Sequence, residues 1–173
     1  MAFSSVLVLA CLVSRPLAAL VGFGLDMYNP TCAHACFRAI EPNMLSCSNH
    51  HAHGGHMHGA DPMTPPECRA GDTAYLTTLA FCMSSRCARY HISTSRLEEF
   101  WERECTRNPA VMPKWNYGTA VQHLTQVPTQ EVHENDVLNF TAVVPETAWN
   151  LHYHTLTFME KEEKTHAKYG YDA

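Results

Sequence analysis

Seven cysteines lie between residues 32 and 105: Cys32, Cys36, Cys47, Cys68, Cys82, Cys87 and Cys105. In an oxidising compartment, cysteines at this density read as a disulfide framework, which confines the chain to a small stapled body. Six of them fall between Cys32 and Cys87, so Cys105 is the odd one, free or paired with another chain. Cys32 and Cys36 stand four apart on one face of a predicted helix. At that spacing they do not readily bond each other, and they are expected to staple the helix to other segments. Cys47 and Cys68 bracket a compositionally biased segment, and a disulfide between them would close it at its base. A zinc site wants close Cys-x-x-Cys pairs, and the chain has none; a Cys-x-x-Cys-His haem attachment is absent too.

An oxidising compartment implies export. Residues Ser4 to Val13 form a short apolar run, with Val6 to Val13 as its apolar residues, among them the eighth cysteine, Cys11. The run is shorter than the roughly 20 residues a membrane span needs. Small residues follow at Leu17-Ala18-Ala19, so residues 1–20 read as a signal peptide cut near Ala19 or Leu20. The expected location is secreted, or on the extracellular face of the plasma membrane. Residues 21–170 suit one domain, since domains mostly run on the order of 100–150 residues. Hydrophobic residues at 46% allow a true core, and a formal net charge of -5 argues against a nucleic-acid partner. The 12 histidines equal the 12 Lys plus Arg in number, so protonation below roughly pH 6.5 would cancel the negative charge.

Periodicity makes the fold mainly α: a small disulfide-stapled helical domain of four to five helices with at most a short strand pair. Pro30 suits a first helical turn, and Thr31 to Ile40 reads as the helix it opens, ended by Glu41-Pro42-Asn43. Asp72 is an N-cap for a helix reaching Cys87. Ser95-Arg96-Leu97-Glu98 fits a capping box opening a helix to about Glu104. A short helix is expected over 118–124, and a strand over Val137 to Val144. Pro145-Glu146 opens a long helix over 145–168 with Trp149, Tyr153, Leu156, Phe158 and Met159 as its apolar positions.

The sharpest chemical signal lies between Cys47 and Cys68. Residues 50–59 read His-His-Ala-His-Gly-Gly-His-Met-His-Gly, followed by Asp61-Pro62-Met63-Thr64-Pro65-Pro66. Glycine and proline oppose regular structure, so residues 48–66 are expected to be a disordered, mobile loop. Imidazole is a borderline ligand for Cu, Zn, Ni and Fe. His50, His51, His53, His56 and His58 crowd five such ligands into nine residues, and Met57 and Met63 add thioethers that favour Cu(I). A flexible segment loses conformational entropy when it wraps a cation, so modest affinity and poor selectivity are expected. Protons compete for imidazole, so capture should fail below about pH 6. The competing reading is a solvated linker with incidental histidines.

Other motifs are sparse. Asn139-Phe140-Thr141 is an N-glycosylation sequon, which would place that edge at the surface. Gly22-Phe23-Gly24 lacks the third glycine and the strand-to-helix setting of a dinucleotide site. Gly-x-Ser-x-Gly, His-Glu-x-x-His and phosphate-loop signatures are absent, and no residue is assigned a catalytic role. His152 and His154 sit two apart on the long helix and point in different directions, so a shared metal site is not expected.

The order of motifs resembles the extracellular N-terminal domain of fungal ferric-chelate reductases. The residues that carry the likeness are Gly22 to Tyr28, Pro30-Thr31-Cys32-Ala33-His34-Ala35-Cys36, the Met/His-rich insert and Thr64-Pro65-Pro66-Glu67-Cys68. Further matches are Ala80-Phe81-Cys82 with Cys87, Pro113-Lys114-Trp115, Leu138 to Thr141, and the terminal Lys168-Tyr169-Gly170. Cys105 stands outside the family's six-cysteine pattern. The resemblance implies a metal-capturing role in iron and copper acquisition, beside or continuous with a membrane reductase region. Haem, FAD and NADPH belong to the other parts of such NADPH-dependent reductases. This chain alone is therefore expected to be non-catalytic, holding Cu or Fe loosely, with metal ions or metal chelates as partners. The alternative is a stand-alone secreted cysteine-rich metal- or haem-binding protein, and a third reading is a structural cap with the histidine segment as a spacer.

Overall fold

The computed structural model describes residues 27–48 and 64–169. The expected signal peptide and most of the expected loop lie outside the described residues. Among the described residues the chain is mainly helical. The elements run α1 (Thr31–Ile40), β1 (Met44–Leu45), α2 (Pro66–Gly71), α3 (Thr73–Cys87), a 3-10 turn (Ala88–Tyr90), α4 (Thr94–Glu104), α5 (Tyr117–Gln122), β2 (Val137–Leu138) and α6 (Glu146–Tyr169). None of these helices is long and apolar enough to cross a membrane.

Helix α3 is the axis of the body. Asp72 caps it as expected, its Oδ1 accepting from Tyr75 N at 2.8 Å. Buried positions then continue around the helix, from Tyr75 and Leu76 through Leu79, Ala80 and Met83 to Cys87. A helix buried on most sides needs neighbours on most sides. Helices α1, α2 and α5 supply them, and α6 packs on α1, with Arg86 at the end of α3 reaching Trp149 and Glu146 of α6.

Two disulfides fasten α1 to α3: Cys32 to Cys87 and Cys36 to Cys82. Cysteines four apart on α1 meet cysteines five apart on α3 in reverse order, so the two helices run antiparallel. The third disulfide joins Cys47 to Cys68, as expected from their flanking positions. Helix α6 is held to α1 by Trp149, 1% exposed, whose indole Nε1 donates to the Cys32 carbonyl at 3.2 Å. The guanidinium groups of Arg86 and Arg89 lie 5.5 and 5.0 Å from the Trp149 ring centroid, and Tyr153 stacks on it at 4.7 Å.

Several boundaries differ from the sequence reading. Pro30 is the residue before the first turn of α1, and its carbonyl accepts from Ala33 N and His34 N. Ser93 caps α4 and Ser95 lies within the helix. Glu98 does not turn back on its own helix: its Oε2 and Oε1 accept from Tyr117 N and Gly118 N, both at 2.9 Å, at the start of α5. Six α-helices appear among the described residues, one more than expected, because α2 begins inside the stretch read as loop. Pro66 fits there because the first helical position has no intrahelical use for an N–H. The expected strand over 137–144 shortens to Val137–Leu138, which pairs in parallel with Met44–Leu45. Its partner is only two residues long, and the chain beyond turns onto α3, where Thr141 Oγ1 lies 2.7 Å from Thr77 Oγ1 and Ala142 N donates to Thr78 Oγ1 at 2.9 Å.

Candidate functional site

His50, His51, His53, His56, His58, Met57 and Met63 all lie outside the described residues. What the structure describes is the base on which that segment is mounted. Cys47 is exposed at the end of the chain leaving β1, and Cys68 is 8% exposed in α2. Their bond closes the segment into a covalent ring with its ends 21 residues apart in sequence. A second tie lies just inside the ring. Ser48 Oγ and Thr64 Oγ1 stand 2.7 Å apart, both residues buried, and Ser48 Oγ also accepts from Leu45 N at 2.8 Å. Ser48 and Thr64 were expected to belong to the mobile loop; the structure instead buries both as part of the body. Helix α2 holds one root of the ring, and the short parallel pair β1–β2 steadies the other.

A cleft of about 780 Å³ opens beside the disulfide. Cys47 and Cys68 form part of its wall, with Ser46, Glu67, Asp72 and Thr73 supplying polar groups. Asn139 also lines it and is exposed. The sequence alone does not bring these residues together, because they come from three separate stretches of chain.

The histidines of the described body serve other ends. His34 is wedged edge-on between Tyr28 and Phe100, at centroid distances of 5.6 and 4.7 Å. Burial, with help from Arg38 and Arg103, lowers its pKa to about 4, so it is neutral at ordinary pH. His123 stacks on Trp115 at 3.9 Å, and His154 meets Tyr153 edge-on. His152 lines a separate cleft of about 400 Å³ with His133 and Glu134, and burial lowers its pKa as well. Among the described residues no three His, Cys, Asp or Glu side chains converge on a common metal position.

The six cysteines Cys32, Cys36, Cys47, Cys68, Cys82 and Cys87 are consumed in disulfides, and Cys105 is a buried free thiol. Its carbonyl accepts from Tyr75 Oη at 2.6 Å. Of the two expectations for Cys105, pairing with another chain conflicts with its 0% exposure. Compared with known protein families, curated proteins and solved structures, the chain matches none.

Proposed function

We propose that this chain is an extracellular metal-capturing domain that serves a ferric or cupric reductase, collecting Cu or Fe ions or their chelates on the histidine segment. One observation carries the reading. The stretch with five histidines and two methionines is closed into a ring by Cys47–Cys68, and that ring is rooted in the folded body. Ring closure removes conformations the segment would otherwise have to lose on wrapping a cation, so it lowers the entropic cost of chelation. The disulfides and the export-type N-terminus agree with an extracellular site of action. Electron transfer belongs to a membrane partner, in line with the resemblance to ferric-chelate reductases.

The test is a copper and iron titration of the secreted protein beside a variant with His50, His51, His53, His56 and His58 all replaced by serine. Loss of metal uptake in the variant, with an unchanged melting temperature, is the expected result. Equal uptake by the two proteins would overturn the reading.

A further inference from the structure

Asn139 is set at the cleft by anchors on both sides. Leu138 before it is 0% exposed and pairs with Leu45 across the β1–β2 ladder. Thr141 is tied to Thr77, and Ala142, also 0% exposed, donates its N–H to Thr78. Between these fixed points Asn139 is exposed, and its carboxamide makes no hydrogen bond among the described residues. The cleft wall beside it mixes hydrogen-bonding groups of Ser46, Glu67, Asp72 and Thr73 with apolar surface from Pro65 and Ala74. A sugar ring presents the matching pattern, with hydroxyls at its edge and C–H groups on its faces.

We propose that Asn139 carries an N-linked oligosaccharide whose first sugars lie in this cleft and cover the Cys47–Cys68 bridge. The bond forms between the Asn139 amide nitrogen and the anomeric carbon of a polyprenyl-diphosphate-linked oligosaccharide. The anomeric C–O bond breaks, the diphosphate leaves with the electron pair, and the amide gives up one proton. Because the Thr141 hydroxyl of the sequon is engaged with Thr77 in the fold, transfer precedes folding, and the folded body then seats the sugar. The glycan shields the one bridge with an exposed cysteine and guards the roots of the histidine ring. The proposal rests on passage through a secretory route and not on metal capture.

The test uses the chain secreted from a host that performs N-glycosylation. Intact mass should show a glycan on Asn139 that is lost in Asn139→Gln and kept in Thr141→Ser. Under mild phosphine reduction followed by alkylation, Cys47 and Cys68 should be labelled at least about threefold more slowly in the glycosylated protein than after enzymatic removal of the glycan. Asn139→Gln should behave like the deglycosylated protein while its copper uptake stays unchanged. A secreted, disulfide-bonded chain with unmodified Asn139 overturns the proposal and leaves metal capture standing. Equal labelling rates with and without the glycan also overturn it.

Discussion

Ser48 Oγ and Thr64 Oγ1 face each other at 2.7 Å just inside the ring closed by Cys47–Cys68, so the histidine segment has a covalent clasp and a hydrogen-bonded one. The inner clasp is buried, and it leaves residues 49–63 as the length between its two arms. Ser48→Ala removes the group that satisfies both Leu45 N–H and the Thr64 hydroxyl. Stranding buried polar groups costs about 1–3 kcal/mol, which should appear in urea unfolding. Copper affinity should also fall, because the ends of the ring are held less closely. A variant as stable as the parent would show that the inner clasp contributes nothing.

The three disulfides should open in a fixed order. Cys32, Cys36, Cys82 and Cys87 are each at most 2% exposed, whereas Cys47 lies at the surface. Thiol–disulfide exchange needs access to a sulfur, so a mild reductant acting on the deglycosylated chain attacks Cys47–Cys68 first. Differential alkylation and peptide mapping should label Cys47 and Cys68 while far-ultraviolet dichroism stays native. Reducing this bridge alone costs about 3 kcal/mol on the chain-entropy estimate. Labelling of Cys32 or Cys36 ahead of Cys47 would contradict the order.

His34 gives the fold its acid sensitivity. In the unfolded chain it titrates near 6.5, and in the folded body near 4. Between those values the unfolded chain takes up a proton that the folded one refuses. The contribution of neutral His34 is therefore complete above pH 6.5 and drains away as the pH falls toward 4, amounting to about 3 kcal/mol. His152 shifts in the same direction. Melting temperature should drop between pH 7 and pH 4.5, and His34→Gln should drop less over the same interval. Loss of metal uptake over a similar range has a separate cause, proton competition at His50 to His58, and His34→Gln should leave it unchanged.

Much of this architecture is legible in the sequence where local rules act alone. The Asp72 cap, the end of α3 at Cys87 and the long helix opened at Glu146 follow from capping chemistry and periodicity. The i, i+4 spacing of Cys32 and Cys36 tells that they reach outward from one helix, and not that α3 lies antiparallel opposite them. The alternation in 137–144 is real as burial, with Leu138, Ala142 and Val144 buried, but only Val137 and Leu138 pair as a strand, while Val143 makes a single bridge to Glu131. Thr64-Pro65-Pro66 reads as loop because proline excludes a helix interior, and the same proline is at home at the start of α2. The cleft is illegible, since Ser46, Asp72 and Asn139 meet only through tertiary packing. The Ser48–Thr64 clasp is hidden for the same reason, because sequence carries no sign that two hydroxyls 16 residues apart share a buried bond.

Cys105 should be chemically silent in the folded protein. Burial pushes its thiol well above the ordinary range, and the thiolate is the reactive form. A thiol reagent such as 5,5′-dithiobis(2-nitrobenzoate) should leave Cys105 unmodified in buffer and modify it in denaturant, as read by peptide mapping. A non-reducing gel should show no dimer linked through Cys105. Cys105→Ala should cost about 1 kcal/mol, the scale of a small cavity, without altering metal uptake. A disulfide dimer abolished by this substitution would overturn the assignment.

Glu98 acts as a cap supplied by one helix to another. Helix α5 has only six residues, too few to be stable by propensity, and its first amides must be satisfied from outside. Asn116 takes Thr119 N at 2.7 Å, while Glu98 takes Tyr117 N and Gly118 N. The same carboxylate, second to burial, helps push the Tyr117 phenol up to about 12. Glu98→Ala leaves two part-buried amides without acceptors and removes a negative charge from a helix N-terminus, for a loss of about 1–3 kcal/mol. Glu98→Gln keeps one acceptor oxygen and should lose about half as much. The Tyr117 phenol, followed by ultraviolet absorbance, should titrate at lower pH in both variants because the neighbouring negative charge is gone. Unchanged stability and an unchanged Tyr117 titration in Glu98→Ala would show that α5 stands without this bridge.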